Sequence, residues 1–434
     1  MREGKIFKAL TLSLMHAVKI CSSDIRSIRY RLYPTATQEN RLLDTLEICR
    51  NLYNHFVFES RLAYKEGYRA NHDELARIIP CITAGQQIYS KVAQPVIDQF
   101  YRNLSVLKSL KEKGRVNGIL RFKSKQHFKS FTYNQSGFHI LHDDDDRKLK
   151  LSKIGKIKIV LHREIEGIIK EIHIKRESSG KWFAIIIVVS NKKITLVKQQ
   201  HQQQQPNKPV GLDVGIKNFV YDSKDNVVEH PSILKKSAAK LAKAQRVFSR
   251  RLKGSSNRAR QRIKVARIHE KIANQRKDFL HKLSRHYINR YDGIFVEDLK
   301  IVGNMAKAKK KKNNLSKSIL DSSWSTFFDM LEYKAENAGI LFRRVVASGT
   351  SQRCSRCGNI VKKSLAIRTH CCPNCKLNID RDHNASINIL QRGLNSLPRE
   401  SREVTPVEIG PIQIANNDLH VRSMNQEATD LNRW

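Results

Sequence analysis

A chain of 434 residues is too long for one ordinary core, so two or three domains are expected, and 40% hydrophobic residues exclude wholesale disorder. Lys and Arg number 81 against 40 Asp and Glu, a formal net charge of +41. Basic residues run through nearly the whole chain, not along one amphipathic face or beside an anchor, so the polyanionic partner expected is nucleic acid and not a membrane surface.

The opening "MREGKIFKALTLSLMHAVKICSSD" has basic residues before an apolar run, but His16 and Lys19 break the run and no small-residue cleavage site follows. It reads as a loosely ordered extension over 1–24, with Met15 offering a second start, and not as a signal peptide. No stretch of eighteen apolar residues occurs, so no transmembrane helix is expected. The next pattern alternates around Ile28, Tyr30 and Leu32, a strand that Pro34 ends. Thr35 or Thr37 can then cap a long helix whose Leu42, Leu46, Cys49, Tyr53 and Phe56 recur at helical spacing. More helical pattern runs through "QPVIDQFYRNLSVLKSLKEKG". From about Phe122 to Val189 short strands take over, among them "KIKIVLH", "IIKEIHIKRES" and "KWFAIIIVVS", with Gly180 turning the last two. The tract "KQQHQQQQPNKP" can bury nothing and reads as a linker.

A new domain begins at "VGLDVGIKNFVYDSKDN": strand, tight glycine turn, second strand, polar turn. A basic helical hairpin follows from about Ile233 to Arg290, broken at "GSSN". Its second arm carries Val265, Ile268, Ile272, Phe279, Leu283 and Tyr287 near helical spacing, which leaves the basic remainder to face phosphates. "DGIFVEDLKI" is an apolar strand with Glu297 near its end, and "AKAKKKKNNLSKS" is a basic loop. "DSSWSTFFDMLEYKAENAG" is an amphipathic helix with Asp321 as its cap and Gly339 as its stop.

Of eight cysteines, Cys21, Cys49 and Cys81 are scattered and read as reduced thiols. The other five crowd into residues 354–375. Cys354 and Cys357 form one C-x2-C knuckle and Cys372 and Cys375 another, fourteen residues on, which is the spacing of a four-cysteine zinc ribbon. Cys371 lacks the two-residue gap and is not expected to be a ligand. Four thiolates leave no open position, so the zinc is structural.

The second knuckle runs into "DRDHNASINIL", a helix start. Taken alone, Asp380 and Asp382 read as N-caps, worth ~1 kcal/mol. Two further acids change the reading: Asp213 interrupts an apolar strand between Gly211 and Gly215, and Glu297 ends another. Carboxylates at strand ends and a helix start, in so basic a chain, suggest a hard-cation site. Such a site would hold two Mg²⁺ ions roughly 4 Å apart for phosphodiester cleavage.

"YRLYPTATQENRL", "GLDVGIKNF", "VEDLKIVGNM", "TSQRCSRCGN" and "CPNCKLNIDRDHNASINI" stand in the order seen in TnpB (OrfB) proteins, and the resemblance covers about residues 25–393. Those are transposon-encoded RNA-guided nucleases related to type V CRISPR effectors and Fanzor proteins. The resemblance implies a multidomain chain of mixed α/β and β class. It would have an N-terminal β-barrel (wedge) with a helical recognition insertion over 25–198 and a Gln-rich linker over 199–208. A RuvC-like nuclease of RNase H fold would follow, its first part over 209–350 and its second over 380–396, with a zinc ribbon inserted at 351–379. Outside the resemblance, residues 397–434 are polar and weakly patterned and read as a disordered tail. Asp213, Glu297 and Asp382 match the catalytic carboxylates, and Asp380 a more peripheral acid. The implied cofactors are two Mg²⁺ ions (Mn²⁺ being an alternative), one Zn²⁺ held by Cys354, Cys357, Cys372 and Cys375, and a guide RNA. The implied partners are that structured RNA and a double-stranded DNA target cut beside a short flanking motif. A monomer is favoured, in a bacterial or archaeal cytoplasm, or in the nucleus of a eukaryotic host. The departures are Lys376 and Leu120, where the family often has glycine and proline, and the unmatched extension. The rival readings are a non-cleaving accessory protein that binds nucleic acid and a strand-transferring transposase.

Overall fold

The computed structural model describes residues 24–114, 118–142, 147–190, 206–298, 323–364 and 367–397. The extension before Asp24, residues 199–205 of the linker, the basic loop, Asp321 and the tail from residue 398 lie outside the described residues. The chain divides into two compact units, whose described residues are 24–190 and 206–397.

The first unit starts with β1 (Asp24–Tyr33), whose alternation puts Tyr30 and Leu32 fully inside. Thr35 then opens α1 (Ala36–Lys65) with a capping box: its hydroxyl accepts the Gln38 N–H, and the Gln38 side chain accepts the Thr35 N–H. The helices α2 (His72–Thr83) and α3 (Ser90–Glu112) follow. The first of these is not foreseen above; it is short, contains Pro80, and starts from a second capping box made by Asn71 and Glu74. Then come β2 (Ser130–Asn134), β3 (Phe138–His142), β4 (Arg147–Leu151), β5 (Gly155–Val160), β6 (Ile168–Arg176) and β7 (Trp182–Ser190).

These strands form one antiparallel sheet in the order β2-β6-β7-β1-β5-β4-β3. The outermost strands, β2 and β3, are consecutive in the chain and joined by only three residues, so the sheet curls and brings its two edges toward each other. No ladder joins them among the described residues, and the expected barrel is therefore an open, curled half-barrel. The reason lies in the joining residues. Gln135 and Gly137 both take positive φ and turn the chain out of ladder alignment, and the ring of Tyr89 lies where a Cβ on Gly137 would be. On the inner face, Ile172, Trp182, Ile186 and Leu149 pack against Leu42, Cys49 and Phe56 of α1 and Phe100 of α3. Burial pushes the Cys49 thiol up to about 12, which makes it an inert core residue.

The second unit contains β8 (Pro209–Val214), β9 (Asn218–Asp222) and β10 (Val227–Glu229), then the helical arms α4 (Ile233–Arg250) and α5 (Ser256–Arg290). It continues with β11 (Gly293–Glu297), α6 (Trp324–Ala338) and β12 (Leu341–Val345). A two-stranded ribbon, β13 (Thr369–Cys371) and β14 (Asn378–Asp380), leads into α7 (Arg381–Asn395). Helix α6 starts after Ser323 and stops at Gly339, whose left-handed φ of 70° is the usual C-terminal cap. The main sheet runs β10-β9-β8-β11-β12; β8, β9 and β10 pair antiparallel, while β11 lies parallel to both β8 and β12. Asp292 aligns the parallel pair at its start, its carboxylate accepting the N–H groups of Asn207 and Lys208.

The two faces of this sheet are covered by different helices. Val210, Leu212, Ile294 and Val296 pack under α5 and α6, with Leu280, Phe327 and Leu331. The alternate residues face α7. A Cβ on Gly211 would come within 2.3 Å of the Ser386 carbonyl, and one on Gly393 would meet the Phe295 ring. The missing side chains are what let helix and sheet come this close.

Candidate functional site

The register and the pleat together decide where the acids fall. Leu212 pairs with Val296 across the parallel strands, so Asp213 and Glu297 are the next residues on each, side by side at the strand ends. Asp213 lies two residues beyond Gly211, and Glu297 two beyond Phe295, so both share the face that α7 covers. Asp382 stands in the first turn of that helix. Asp380 has the capping role: its side chain accepts the Asp382 N–H at 2.7 Å.

Electrostatics reflects this convergence. Burial first, then the charges of Glu297 and Asp382, push the Asp213 carboxyl well above its ordinary range. Burial also raises Glu297, opposed by a hydrogen bond from Thr350 and by Arg392. Asp382 is raised by burial and by Asp380, against Arg368, Arg381 and Lys217. Arg368 reaches Asp382 at 3.9 Å. Burial raises all three acids, and at Asp213 the charges of the other two add to it; a bound divalent cation would offset that cost, the acids being hard oxygen donors.

The four knuckle cysteines converge as well. Among the described residues they are the one group of three or more His, Cys, Asp or Glu side chains whose ligand atoms all lie within 4.8 Å of one another. Cys354 and Cys375 sulfurs are 3.5 Å apart, as are those of Cys357 and Cys372. Zn–S bonds of about 2.3 Å impose about 3.8 Å on a tetrahedron's edge, so the donor set fits zinc. Each knuckle closes the same way: the Gly358 N–H donates to the Cys354 carbonyl, and the Lys376 N–H to the Cys372 carbonyl. A backbone N–H from Asn359 lowers the Cys357 thiol, while burial raises that of Cys375. Cys371 stands outside the cluster, exposed, with its thiol directed to Asn378.

Several residues around these sites have no counterpart in the sequence reading. Thr350 donates its hydroxyl to Glu297. The His383 ring stacks on Tyr221, and both bond the Asp225 carboxylate, at 3.2 and 2.6 Å. Arg381 reaches Ser351 and the carbonyl of Ser364. The polar run "HNASIN" just after the acid was the one available signal, because Asn384 and Asn388 fall four apart on a helix.

Three family models match the chain: "Probable transposase" over residues 189–309, "Cas12f1-like, TNB domain" over 324–389, and "Helix-turn-helix domain" over 25–69. The last region is here a strand and one unbroken helix. A "Putative RNA-guided DNA endonuclease" of Streptomyces pristinaespiralis is 31% identical over 85% of this chain and 89% of its own. The chain belongs to the TnpB (OrfB) family of RNA-guided nucleases. "Putative RNA-guided DNA endonuclease InsQ" of Escherichia coli K12 is 29% identical over 85% of this chain and 92% of its own. Cas12f1 in its complex with guide RNA and target DNA superposes with a TM-score of 0.53 over 85% of this chain and 98% of that one, and at 15% identity this likeness is one of fold. Among the described residues no helix is long and apolar enough to cross a membrane.

Proposed function

We propose that this TnpB-family chain is an RNA-guided DNA endonuclease encoded by a transposable element, which cuts DNA beside a short flanking motif by metal-dependent hydrolysis. The observation that carries the reading is that Asp213 and Glu297 stand side by side near the C-terminal ends of two parallel strands, under the helix that brings Asp382. The sheet order β10-β9-β8-β11-β12 is, in order of appearance, 3-2-1-4-5, which supports a RuvC-like RNase H fold split over 209–350 and 380–396. The four cysteines between would hold a structural zinc ribbon over 351–379. The first unit would serve as the wedge, with α1–α3 as its recognition insertion.

Asp213, Glu297 and Asp382 would hold two Mg²⁺ ions, or Mn²⁺ in their place, and bound there the ions supply an activated water and charge stabilisation for the leaving oxygen. The chain's own residues do the rest. The carboxylates would face the scissile phosphate; Arg381 lies near Asp213 and Asp382, and Arg368 and Lys217 near Asp382, so the local field would admit a polyanion despite three acids. A groove of about 470 Å³ between α4 and α5, lined by Lys236, Lys240, Arg267 and Lys271, offers a track for backbone phosphates. Pairing to the guide would read the target sequence, while the protein reads duplex shape and the flanking motif.

Cleavage of a guide-matched duplex tests the reading. Asp213→Ala is expected to lower the rate by about a thousandfold, the several kcal/mol that metal catalysis contributes, and to spare guide-RNA binding. Undiminished cutting by that variant sinks the site assignment. Joined rather than free product ends would favour a transposase.

A further inference from the structure

The segment from β12 to the first knuckle does more than connect them. Thr350 is 4% exposed and its hydroxyl proton is given to Oε1 of Glu297. Its carbonyl accepts Asn388 Nδ2 at 2.8 Å, and the second proton of the same amide goes to the Arg353 carbonyl at 2.7 Å. One turn earlier, Asn384 Nδ2 also donates to that carbonyl at 2.7 Å, while its Oδ1 accepts the Ser355 N–H at 2.9 Å. Asn384 and Asn388 are 0% and 2% exposed. Water cannot replace these bonds, so α7 holds residues 350–355 in one place, and the same stretch carries Cys354 into the sulfur cluster.

Glu297 is thus fixed from its own strand at the backbone and from the cysteine module at its carboxylate. We propose that Thr350 is a positioning residue for Glu297, held by Asn388, and that it makes the knuckle segment part of the cation site. This rests on the reading of Glu297 as a cation ligand. The hydroxyl engages one oxygen and sets the rotamer, leaving Oε2 available to a cation without a search among conformers. The β-branched threonine suits the task better than serine, because its methyl restricts χ1.

The test uses the full chain with its guide RNA. Mn²⁺ affinity is measured by calorimetry without DNA, and cleavage is followed against Mg²⁺ concentration. Thr350→Val, which keeps the shape and loses the proton, is expected to weaken Mn²⁺ binding by about 10–100-fold and to move the Mg²⁺ requirement upward by a similar factor. Zinc content and guide-RNA binding are expected to stay unchanged, and Thr350→Ser to restore most of the affinity. If Thr350→Val does not fold, Thr350→Ala, which adds no atoms, is read in its place. Wild-type Mn²⁺ affinity in the variant, with Glu297→Gln inactive, overturns the proposal and leaves the carboxylate site standing. Full activity in Glu297→Gln removes both.

Discussion

The two sheets of this molecule differ in one respect that decides what each can do. In the half-barrel every neighbouring pair of strands is antiparallel, so the end of one strand lies beside the start of the next. Two residues that each close an apolar strand cannot meet there. In the five-stranded sheet β8 and β11 run parallel, which sets Asp213, one residue before the end of β8, beside Glu297, the last residue of β11. The half-barrel can accordingly devote its inner face to packing, with Ile172, Ile174, Ala184 and Ile186 all at 0% exposure. The second sheet ends its apolar runs in carboxylates, which must then be covered, hydrogen-bonded and balanced by neighbours. A parallel pair is a way of gathering like charges; an antiparallel one disperses them.

The comparison can be broken most severely at the cysteines. Cys354→Ser is expected to lose the zinc and, through residues 350–355, at least about a hundredfold in cleavage. Hydrogen exchange should remain unchanged in β1 and β7 of the half-barrel. Cys371→Ser should keep one zinc per chain, and metal analysis separates the two. Loss of zinc from Cys371→Ser would revise the ligand set.

A smaller effect is expected at Gly211. An added methyl meets the Ser386 carbonyl at 2.3 Å and the Leu390 nitrogen at 2.6 Å, both helix backbone, so α7 must shift. Gly211→Ala should destabilise the second unit by about 1–3 kcal/mol and lower cleavage, because the same helix carries Asp382. Denaturant unfolding with one probe in each unit would show the loss in one transition only.

The smallest effect sharpens the picture inside the ribbon itself. The residue after the first knuckle is Gly358 at φ 77°, and the residue after the second is Lys376 at φ 61°. Only the lysine is strained there. Lys376→Gly should stabilise the zinc-bound ribbon by about 1 kcal/mol, read as slower zinc release to a chelator.

What the sequence discloses is local. The alternation around Tyr30, the Thr35–Gln38 box, the break between the hairpin arms and the stop at Gly339 are all settled by residues a few positions apart. The two C-x2-C spacings are local too, and they place four sulfurs together once the chain doubles back. The open seam of the half-barrel was not legible, because whether β2 and β3 pair depends on the closure of seven strands and not on either strand's composition. Asp213 and Glu297 could each be singled out as an acid interrupting an apolar strand. Their adjacency follows from parallel pairing across a hairpin of two long helices. Thr350 could not be singled out, since no spacing rule connects it to a carboxylate 53 positions earlier. The buried asparagines were legible only as polar residues on a helix; that they bond the knuckle segment depends on where the ribbon lies.

The position of α7 in the chain has a consequence for synthesis. Asp213 and Glu297 leave the ribosome long before Asp382, and until α7 is made Phe295 and Val345 have no cover. A nascent chain stopped short of residue 380 therefore lacks both the third acid and one face of the sheet. The first unit, whose described strands and helices all precede residue 191, can fold during that interval. Translation order thus leaves Asp213 and Glu297 without Asp382 until α7 has been made.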